Sequence, residues 1–486
     1  MGLSPLKWCW LPVLTEIHSL GSPGRLVRKN SIPMTREKFA DVKSHAAETR
    51  VAIVGGGPAG SLLALALAQR GFGVDLYERR SDPRGQMAGR GKSINLGLSK
   101  RGMQALQMVG LLDSVLERSV PMRGRVIHSV DGAVRFQPYG KNSAEVLHSL
   151  DRNELNRRLL EEAGQYPSVK LNFEHQLIRV DKKSRELEFN ASGQSIRVRP
   201  QWVIAADGAF SIMRRELQHG ERADYHQEFH EWGYMELTLH AASNSTSKID
   251  LTALHVWPRR HCMIVSHPNL NGSHTLTLLL PFHGEDSFAT MRTPDEIKAL
   301  FGKYFPDLVP MLPDLVEQCI KHSPAGMVTT RTSPWAFGDW AVLVGDACHA
   351  VYPFYGQGMN AAFEDCSVLV RELNECNGDR ETAFQKYELA RRAHTDVLCD
   401  LTKAACVELR QKVHSPWFLA RKRLDLAIHR LLPQAWSPLY TMVAHTTIPY
   451  AEALARSRRQ DRILAFSSAG LALLTVGAGL FYVLNR

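Results

Sequence analysis

The composition of the sequence shows none of the features that are typical of non-globular proteins. Charged residues make up only 22% of its 486 residues and no short period recurs, which excludes an intrinsically disordered chain, a collagen and a long coiled coil. Its 8 cysteines are too few for a disulfide framework, and no pair has the C-x-x-C spacing. We therefore expect reduced thiols in a protein that faces the cytosol. From the length of the chain, we expect two or three domains.

The chain also lacks a strongly charged body. Residues 1–50 carry 8 basic and 4 acidic side chains and residues 451–486 carry 5 and 2, so the 400 residues between them account for only +3 of the net charge of +10. A protein that binds nucleic acid concentrates positive charge on its folded domain. Nucleic acid is therefore not an expected partner.

One long apolar run is present, close to the end of the chain. Residues 463–484 contain no charged side chain over 22 positions, which at about 1.5 Å per residue spans the roughly 30 Å hydrocarbon core of a bilayer. We predict a C-terminal transmembrane helix in contact with lipid, in the mitochondrial outer membrane or alternatively the endoplasmic reticulum. A cytosolic location for the preceding domain is favoured by the basic residues Arg456, Arg458, Arg459 and Arg462. Residues 1–49 show no cleavable signal and are predicted to be a disordered extension.

A glycine-rich turn between two predicted strands indicates a dinucleotide site. The apolar strand 50–54 runs directly into GGGPAG. The glycines with the G-x-G-x-x-G spacing are Gly55, Gly57 and Gly60. They allow a tight turn and a close approach to a pyrophosphate, and the predicted helix 61–70 then directs its first N–H groups at the phosphates. Glu78 follows the second strand, 74–77, and lies 18 residues after the last glycine, where a carboxylate binds a ribose hydroxyl.

Two further predicted strands end in acidic motifs. Strand 203–206 leads into Asp207 and a glycine. Strand 341–344 leads into a glycine and Asp346, followed by a glycine-rich stretch and a helix predicted to begin near Ala361. Ligands of open α/β sheets bind at the carboxyl ends of the strands. Either motif alone is also compatible with an ordinary turn, but with the first motif they complete a cofactor-binding pattern.

Three other patterns do not support a site. Residues 85–93 (GQMAGRGKS) resemble a phosphate-binding P-loop, but the first glycine of that motif is replaced and no strand precedes it. His226 and His230 have an i, i+4 spacing without the glutamate that follows the first histidine of a zinc motif, so no metal is predicted. Arg391 and Arg392 are predicted to lie on a solvent-exposed helix face.

The three cofactor motifs resemble those of the flavoprotein aromatic hydroxylases, the class A FAD monooxygenases. Further runs, PMRGR at 121–125, GYMEL at 233–237 and FYGQGMN at 354–360, are similar to the branch of that family that hydroxylates kynurenine. The resemblance covers roughly residues 50–484. It implies an α/β fold, in which a doubly wound FAD-binding domain is interleaved with a mixed-sheet substrate domain, followed by a C-terminal helical cap and a single C-terminal transmembrane helix.

The implied domain boundaries leave the FAD-binding domain in two parts. Strands of the substrate domain are predicted at 253–257 and 275–280. The first part of the FAD-binding domain is predicted at 50–220 and its last part at 335–380. The substrate-domain sheet lies between them at 221–334, with further substrate-domain strands around 121–150. The cap follows at 381–462 and the anchor at 463–484.

The resemblance also assigns roles to individual residues. Besides the three glycines, FAD contacts are expected at Ala59, Tyr77, Glu78, Arg79, Arg80, Gly97, Arg152, Leu177, Asp207, Asp346, Met359 and Asn360. The substrate-binding residues are expected to be Arg125, Tyr139, Tyr440, Ala405 and Glu408. Arg125 and Tyr139 are expected to receive the amino-acid carboxylate of the substrate. Without the resemblance, Arg125 and Glu408 would be taken for surface charges and Tyr440 for a core aromatic residue.

Two positions depart from the pattern of the family. Ala405 stands where the family carries an asparagine, which removes one pocket hydrogen bond worth roughly 0.5–1.5 kcal/mol. Lys92 stands where the family has an arginine, which keeps the charge but loses the fork geometry of the guanidinium. The choice of substrate therefore stays open at this point.

The activity implied by the resemblance is hydroxylation of L-kynurenine to 3-hydroxy-L-kynurenine with FAD, NADPH and O₂, a step of tryptophan catabolism that leads to pyridine nucleotides. NADPH would reduce the flavin, and O₂ would add at its C4a atom to give a hydroperoxide, whose distal oxygen would be attacked by the electron-rich ring carbon beside the aniline nitrogen. No side chain is therefore expected to be catalytic itself. The alternatives are a related flavin hydroxylase of another aromatic acid, and a membrane-anchored flavoprotein that has lost coupled oxygenation.

Overall fold

The computed structural model describes residues 49–85, 95–140, 145–242, 248–412 and 415–466. The predictions made for residues 1–48, for Lys92 and for residues 467–484 of the apolar run lie outside the described residues. Within the described ranges, every helix is too short or too polar to span a bilayer.

The secondary structure alternates between strands and helices in the first half and is mostly helical after residue 345. The strands are β1 (Arg50–Val54), β2 (Gly73–Tyr77), β3 (Asn95–Leu98), β4 (Val120–Met122), β5 (Gly124–His128), β6 (Val134–Pro138), β7 (Leu147–Asp151), β8 (Val169–Asn172), β9 (His175–Asp181), β10 (Glu186–Ala191), β11 (Gln194–Val198), β12 (Trp202–Ala205), β13 (Asp224–Leu239), β14 (Ala253–Pro258), β15 (Met263–Pro268), β16 (His274–Pro281), β17 (Ala325–Ser333), β18 (Ala336–Phe337) and β19 (Ala341–Leu343). The helices are α1 (Pro58–Ala68), α2 (Lys100–Met108), α3 (Leu112–Leu116), α4 (Arg152–Gly164), α5 (Ile212–Gln218), α6 (Pro294–Tyr304), α7 (Leu315–Lys321), α8 (Asp346–His349), α9 (Gly358–Glu375), α10 (Arg380–Val407), α11 (Pro416–Leu431), α12 (Leu439–His445) and α13 (450–466).

The first sheet carries the predicted cofactor motifs. Its strand order is β18-β19-β12-β1-β2-β8, and all neighbours are parallel except the β18–β19 pair. The core of this sheet is almost completely buried because helices such as α1 and α9 cover it, which explains why its strands read as continuous apolar runs. The strands predicted at 50–54, 74–77, 203–206 and 341–344 are confirmed, within one or two residues, as β1, β2, β12 and β19.

The second sheet is mixed and has seven strands in the order β17-β13-β16-β15-β14-β5-β6. Its pairs are antiparallel apart from β14 and β5, which run parallel. The predicted strands 253–257 and 275–280 are confirmed as β14 and β16. β5 and β6 join strands that follow more than 100 residues later, so the chain crosses between the two sheets more than once.

The C-terminal helices pack across both sheets. The 28-residue helix α10 ends in a π-helical turn at Glu408–Lys412, a distortion that is frequent at functional sites. The shorter helices α11, α12 and α13 follow it.

A group of histidines in the second sheet predicts acid lability. Burial lowers the pKa of His128 and His267 to about 4 and that of His274 to about 3. These side chains are neutral in the folded protein but bind protons near pH 6.5 once unfolded. Their contribution to stability is therefore complete above about pH 6.5 and is lost as the pH falls towards 4, at about 1.4 kcal/mol per pH unit for each neutral histidine.

Urea unfolding between pH 7 and pH 5 measures this slope. The Ser266 hydroxyl lies 3.0 Å from Nδ1 of His274, and His274→Asn keeps a polar partner for it. This variant is expected to reduce the pH dependence of the unfolding free energy by the amount that corresponds to about one proton. His226, whose side chain is 63% exposed, is the control position, and His226→Gln should leave the slope unchanged. A flat stability profile over this range would contradict the prediction.

Candidate active site

The glycine turn after β1 is packed so tightly that two of its glycines admit no side chain. Gly55 has a φ of 107°, and a Cβ atom there would lie 2.3 Å from the carbonyl oxygen of Ala206. A Cβ on Gly60 would lie 1.9 Å from the carbonyl oxygen of Gly55. Gly57 differs, because a Cβ there would meet no protein atom within 4 Å. Open space at Gly57 is what the fingerprint requires at the position that a pyrophosphate approaches.

The other predicted cofactor motifs meet this turn. A Cβ on Gly345 would lie 3.1 Å from the Cβ of Ala362 in α9 and 3.7 Å from that of Ala59 in α1. The Arg214 guanidinium donates hydrogen bonds, at 2.8 and 2.7 Å, to a carbonyl oxygen in each of the two acidic loops. The N-termini of α1 and α9 have neither a side-chain cap nor an acidic residue in the first turn. Their N–H groups are therefore suited to binding an anion.

The two predicted carboxylates lie in the walls of this cleft. Asp207 accepts hydrogen bonds from the Ser211 hydroxyl at 2.5 Å and from the Met213 N–H at 3.0 Å. Asp346 begins α8 and its side chain is accessible to solvent. The surrounding protein reduces the hydration of both carboxyl groups and so raises the pKa of each, and at Asp346 this effect is opposed by the nearby His349 and Arg152. The two carboxyl groups can accept hydrogen bonds from the hydroxyl groups of a cofactor.

Some predicted FAD contacts do not present a free side chain. The Asn360 side chain donates a hydrogen bond to the carbonyl oxygen of Gly97 at 2.8 Å and accepts one from the Ser99 N–H at 2.9 Å. Leu177 is buried in β9, and Met359 packs partly buried against the same core. The side chains of Asn360 and Leu177 are therefore enclosed by protein.

The end of β2 carries the remaining predicted contacts. Glu78 is buried, and its carboxylate accepts hydrogen bonds from the N–H groups of Gly56 at 2.7 Å and Arg80 at 3.0 Å. The Tyr77 ring packs against the core, and burial raises its pKa to about 12. The Arg79 and Arg80 side chains are exposed. Glu78 therefore supports the glycine turn directly, a role that its spacing alone does not indicate.

A single methyl group tests whether this cleft holds FAD. Gly57 has an ordinary φ of −75°, so Gly57→Ala should keep the thermal stability of the apoprotein. If FAD approaches the turn as expected, the added Cβ collides with it, and its affinity should fall about tenfold or more when the apoprotein is titrated with FAD. Gly302→Ala adds a methyl group that also meets no protein atom and should bind FAD normally. Equal FAD affinity for both variants would contradict this placement.

An aromatic pocket adjoins the cofactor cleft. The Tyr440 ring lies 5.5 Å from that of Tyr139 and 5.6 Å from that of Tyr355, measured between centroids. The Arg125 guanidinium lies 5.9 Å from the centre of the Tyr440 ring, and its Nε donates a hydrogen bond to Oε1 of Gln137 at 3.0 Å. Tyr355 directly precedes the glycine-rich start of α9, which connects this pocket to the cleft.

The pocket presents donors without enough acceptors. Burial raises the pKa of Tyr139, Tyr355 and Tyr440, so all three remain neutral phenols that can donate. The Tyr139 hydroxyl is buried and has no hydrogen-bond partner among the described residues. A buried hydroxyl left unpaired costs about 1–3 kcal/mol. Beside the Arg125 guanidinium, it is suited to a ligand carboxylate.

The end of α10 brings Glu408 to the same pocket. Burial raises the pKa of Tyr355, and the negative charge of Glu408 adds to this effect. Lys422 of α11 pairs with Glu408, with Nζ 3.4 Å from Oε1. Ala405 lies one turn earlier and is half-buried, on the same side of the helix as Glu408. Four of the five predicted substrate residues therefore interact within one pocket, and Ala405 lies next to them along the helix.

A buried ionic network, which no sequence pattern predicted, lies behind the Asp346 turn. Asp365 is fully buried and accepts hydrogen bonds from the Gly345 N–H at 3.2 Å and from Nε of Arg391 at 2.7 Å, and it also pairs with His349. Burial acts to raise the pKa of Asp365, but His349 and Arg391 outweigh it and lower the pKa. The prediction that Arg391 is solvent-exposed is wrong, because it is 3% exposed, whereas Arg392 is 45% exposed. No local pattern reveals this network, since its members lie on different helices.

Several known proteins are similar to this chain in sequence. The family described as FAD binding domain matches residues 48–402. A kynurenine 3-monooxygenase of Salinispora tropica is 50% identical over 88% of this chain and 95% of its own length. A kynurenine 3-monooxygenase of Sus scrofa is 37% identical over 86% of this chain and 88% of its own length.

Solved structures show the same fold. The tetrameric form of 2-methyl-3-hydroxypyridine-5-carboxylic acid oxygenase is 22% identical, with a TM-score of 0.63 over 80% of this chain and 98% of that one. Pseudomonas aeruginosa PqsL is 21% identical, with a TM-score of 0.62 over 76% of this chain and 99% of that one. The family is established by the sequence identities to the two kynurenine 3-monooxygenases and by the extent of the FAD-binding domain match. The chain therefore belongs to the kynurenine 3-monooxygenase family of FAD-binding monooxygenases.

Proposed function

We propose that this protein is an NADPH- and FAD-dependent monooxygenase that hydroxylates L-kynurenine to 3-hydroxy-L-kynurenine. The observation that carries the proposal is the Arg125 guanidinium beside the unpartnered Tyr139 hydroxyl, in an aromatic pocket that adjoins the cofactor cleft. The names of the relatives from Salinispora tropica and Sus scrofa support the same substrate.

The pocket matches the two ends of kynurenine. The α-carboxylate would accept hydrogen bonds from the guanidinium of Arg125 and the phenol of Tyr139, which together fix its position. The aromatic ring would then pack among the rings of Tyr355 and Tyr440. The carboxylate of Glu408 would accept a hydrogen bond from an N–H group of the substrate.

The chain positions the substrate and excludes water. Bound FAD supplies the redox chemistry, since it accepts electrons from NADPH and activates O₂ for transfer to the ring. Two contacts at the carboxylate orient the ring, so that the carbon next to the aniline nitrogen meets the oxygen donor. Met122, Leu147 and Ala444 are buried around Tyr139 and keep this end of the pocket dry.

NADPH oxidation by the detergent-solubilised protein, with and without L-kynurenine, tests the proposal when 3-hydroxykynurenine and H₂O₂ are quantified together. We expect kynurenine to stimulate oxidation and the hydroxylated product to match the NADPH consumed. Stimulated oxidation that yields only H₂O₂ would mean that oxygenation is uncoupled. An absence of stimulation would contradict the proposed substrate.

Ala405 supports a second candidate, a flavin hydroxylase of another aromatic acid. Its methyl group cannot form the hydrogen bond that the asparagine of the family provides. Anthranilate, salicylate and 4-hydroxybenzoate are the comparison substrates. A higher kcat/KM for any of them than for L-kynurenine would favour this second candidate.

We further propose that residues 463–484 anchor the protein in the mitochondrial outer membrane, with the endoplasmic reticulum as the alternative, and that the catalytic body faces the cytosol. The support is the uncharged 22-residue run preceded by basic residues. Retention in the membrane pellet after alkaline carbonate extraction is expected, and release into the supernatant would contradict the anchor.

A further inference from the structure

Helix α11 exposes a continuous apolar face. Trp417, Leu424 and Leu431 are spaced seven residues apart and are 86%, 46% and 80% exposed. Residues seven apart lie on the same side of an α-helix after two turns. The exposed alanines Ala420 and Ala427 lie between them on that side. A large apolar stripe of this kind on a surface helix indicates an interaction surface rather than scattered exposure.

Arginines border this stripe on both sides. The exposed residues Arg423 and Arg430 border it on one side. On the opposite side, Arg421 pairs with Asp461 of α13, with NH2 2.6 Å from Oδ1. Trp and Leu on one face with arginines along its border are typical of helices that lie in the plane of a membrane interface.

Helix α13 extends the same surface. The Arg421–Asp461 pair joins it to α11, and four arginines are exposed along it, namely Arg456, Arg458, Arg459 and Arg462. Its last residues include Ile463 and Phe466, which are 47% and 77% exposed and belong to the uncharged run that ends at residue 484. The apolar stripe and the positive charge therefore lie on adjoining helices, immediately before the apolar run.

We propose that α11 and α13 form a membrane-docking surface that binds an anionic phospholipid bilayer, with Trp417, Leu424 and Leu431 at the boundary between headgroups and acyl chains. Helices of this type insert about 5–10 Å into that boundary. The arginines complement anionic headgroups. A second copy of the chain fits less well, because a twofold contact would bring the arginines of both copies together. This proposal does not depend on the identity of the substrate.

Docking would also act on the candidate active site. Lys422 extends from α11 to Glu408, with 3.4 Å between Nζ and Oε1, and Glu408 lies at the aromatic pocket. The bilayer would therefore restrain the helix that holds the partner of a predicted substrate-binding residue.

Quenching of tryptophan fluorescence by brominated lipids tests the position of Trp417. The full-length protein is reconstituted into phosphatidylcholine vesicles, with and without phosphatidylserine, that contain acyl-brominated lipid. Of the 9 tryptophans, none lies in residues 463–484, so the apolar run contributes no signal. We expect a quenched component that is stronger with phosphatidylserine and is lost in Trp417→Phe. Equal quenching in the unchanged protein and in Trp417→Phe would overturn the proposal.

A second pair of variants separates docking from other effects. The double variant Leu424→Ser with Leu431→Ser keeps Trp417 and is expected to lose the quenched component. Leu389→Ser on α10 is the matched control, because Leu389 is as exposed (83%) as Leu431, and it should leave quenching unchanged. If the double variant instead dissociates a dimer in detergent, and no quenching of Trp417 is seen in vesicles, the surface contacts a second copy and the proposal is wrong.

Discussion

Replacing Arg125 with methionine is expected to lower kcat/KM for L-kynurenine roughly 30- to 150-fold, with no change in bound FAD. Hydrogen bonds to a charged group contribute about 2–3 kcal/mol, which corresponds to this factor. Methionine keeps much of the volume of the side chain beside Tyr440, so the pocket should retain its shape. The measurement is initial-rate NADPH oxidation with product quantified, together with the flavin content of the purified protein.

Arg123 provides the matched control for this experiment. It lies two residues before Arg125, directly before the strand β5 that carries Arg125, but its side chain is exposed to solvent. Arg123→Met should keep the activity of the unchanged protein, and Tyr139→Phe should lose about tenfold, or about 1.5 kcal/mol, as one bond to a carboxylate is removed. Equal losses in the Arg123 and Arg125 variants would show that general surface charge, and not the pocket, is responsible.

Replacing Asp365 with asparagine is expected to lower the free energy of unfolding by about 3 kcal/mol and to weaken FAD binding. Removing the Asp365 carboxylate from a buried ionic network leaves Glu364 as the carboxylate paired with Arg391 among the described residues, and it takes away the carboxylate that pairs with His349. The two carboxylate oxygens of Asp365 accept separately from the Gly345 N–H and from Arg391, and asparagine has only one acceptor oxygen, so the variant weakens the support of the turn that presents Asp346 to the cleft. The measurement is thermal unfolding of the protein with and without FAD.

The comparison between apoprotein and holoprotein distinguishes the two effects. At a fixed FAD concentration, the stabilisation of the folded state by bound FAD grows with the logarithm of its affinity, so a weakened site reduces the rise in Tm that FAD produces. Glu372→Gln is the control, because Glu372 is buried on the same helix and its ion pair, among the described residues, is with the neighbouring Arg371. A lower Tm in the Asp365→Asn variant with an unchanged FAD-induced rise would mean that Asp365 supports the fold and does not position the Asp346 turn.

The cofactor cleft was largely predictable because its parts are local. A strand, a glycine turn and a helix follow one another within 20 residues, and two of the glycines have a steric reason that the local backbone dictates. Gly55 needs a positive φ, and Gly60 leaves no room for a Cβ atom. The helix that follows was also predicted, with its start three residues late because Pro58 is already helical.

Whether an individual charged side chain is buried or exposed could not be predicted in the same way. Arg391 and Arg392 are adjacent on one helix, yet the first is buried and the second is 45% exposed. What decides between them is a carboxylate on α9, 26 residues earlier, which faces one of the two and not the other. A charged side chain is buried only where a partner offsets its desolvation, and that partner is set by packing between helices.

The sequence by itself therefore determined the FAD-binding motifs, the strands that carry them and the family to which they point, because these depend on neighbouring residues and on the periods of strand and helix. Only the tertiary structure decided which side chains share the second pocket. Arg125 and Tyr440 are 315 residues apart, and they meet because β5 joins the second sheet while α12 packs over it. Contacts at that distance follow from how layers pack, which no local pattern encodes.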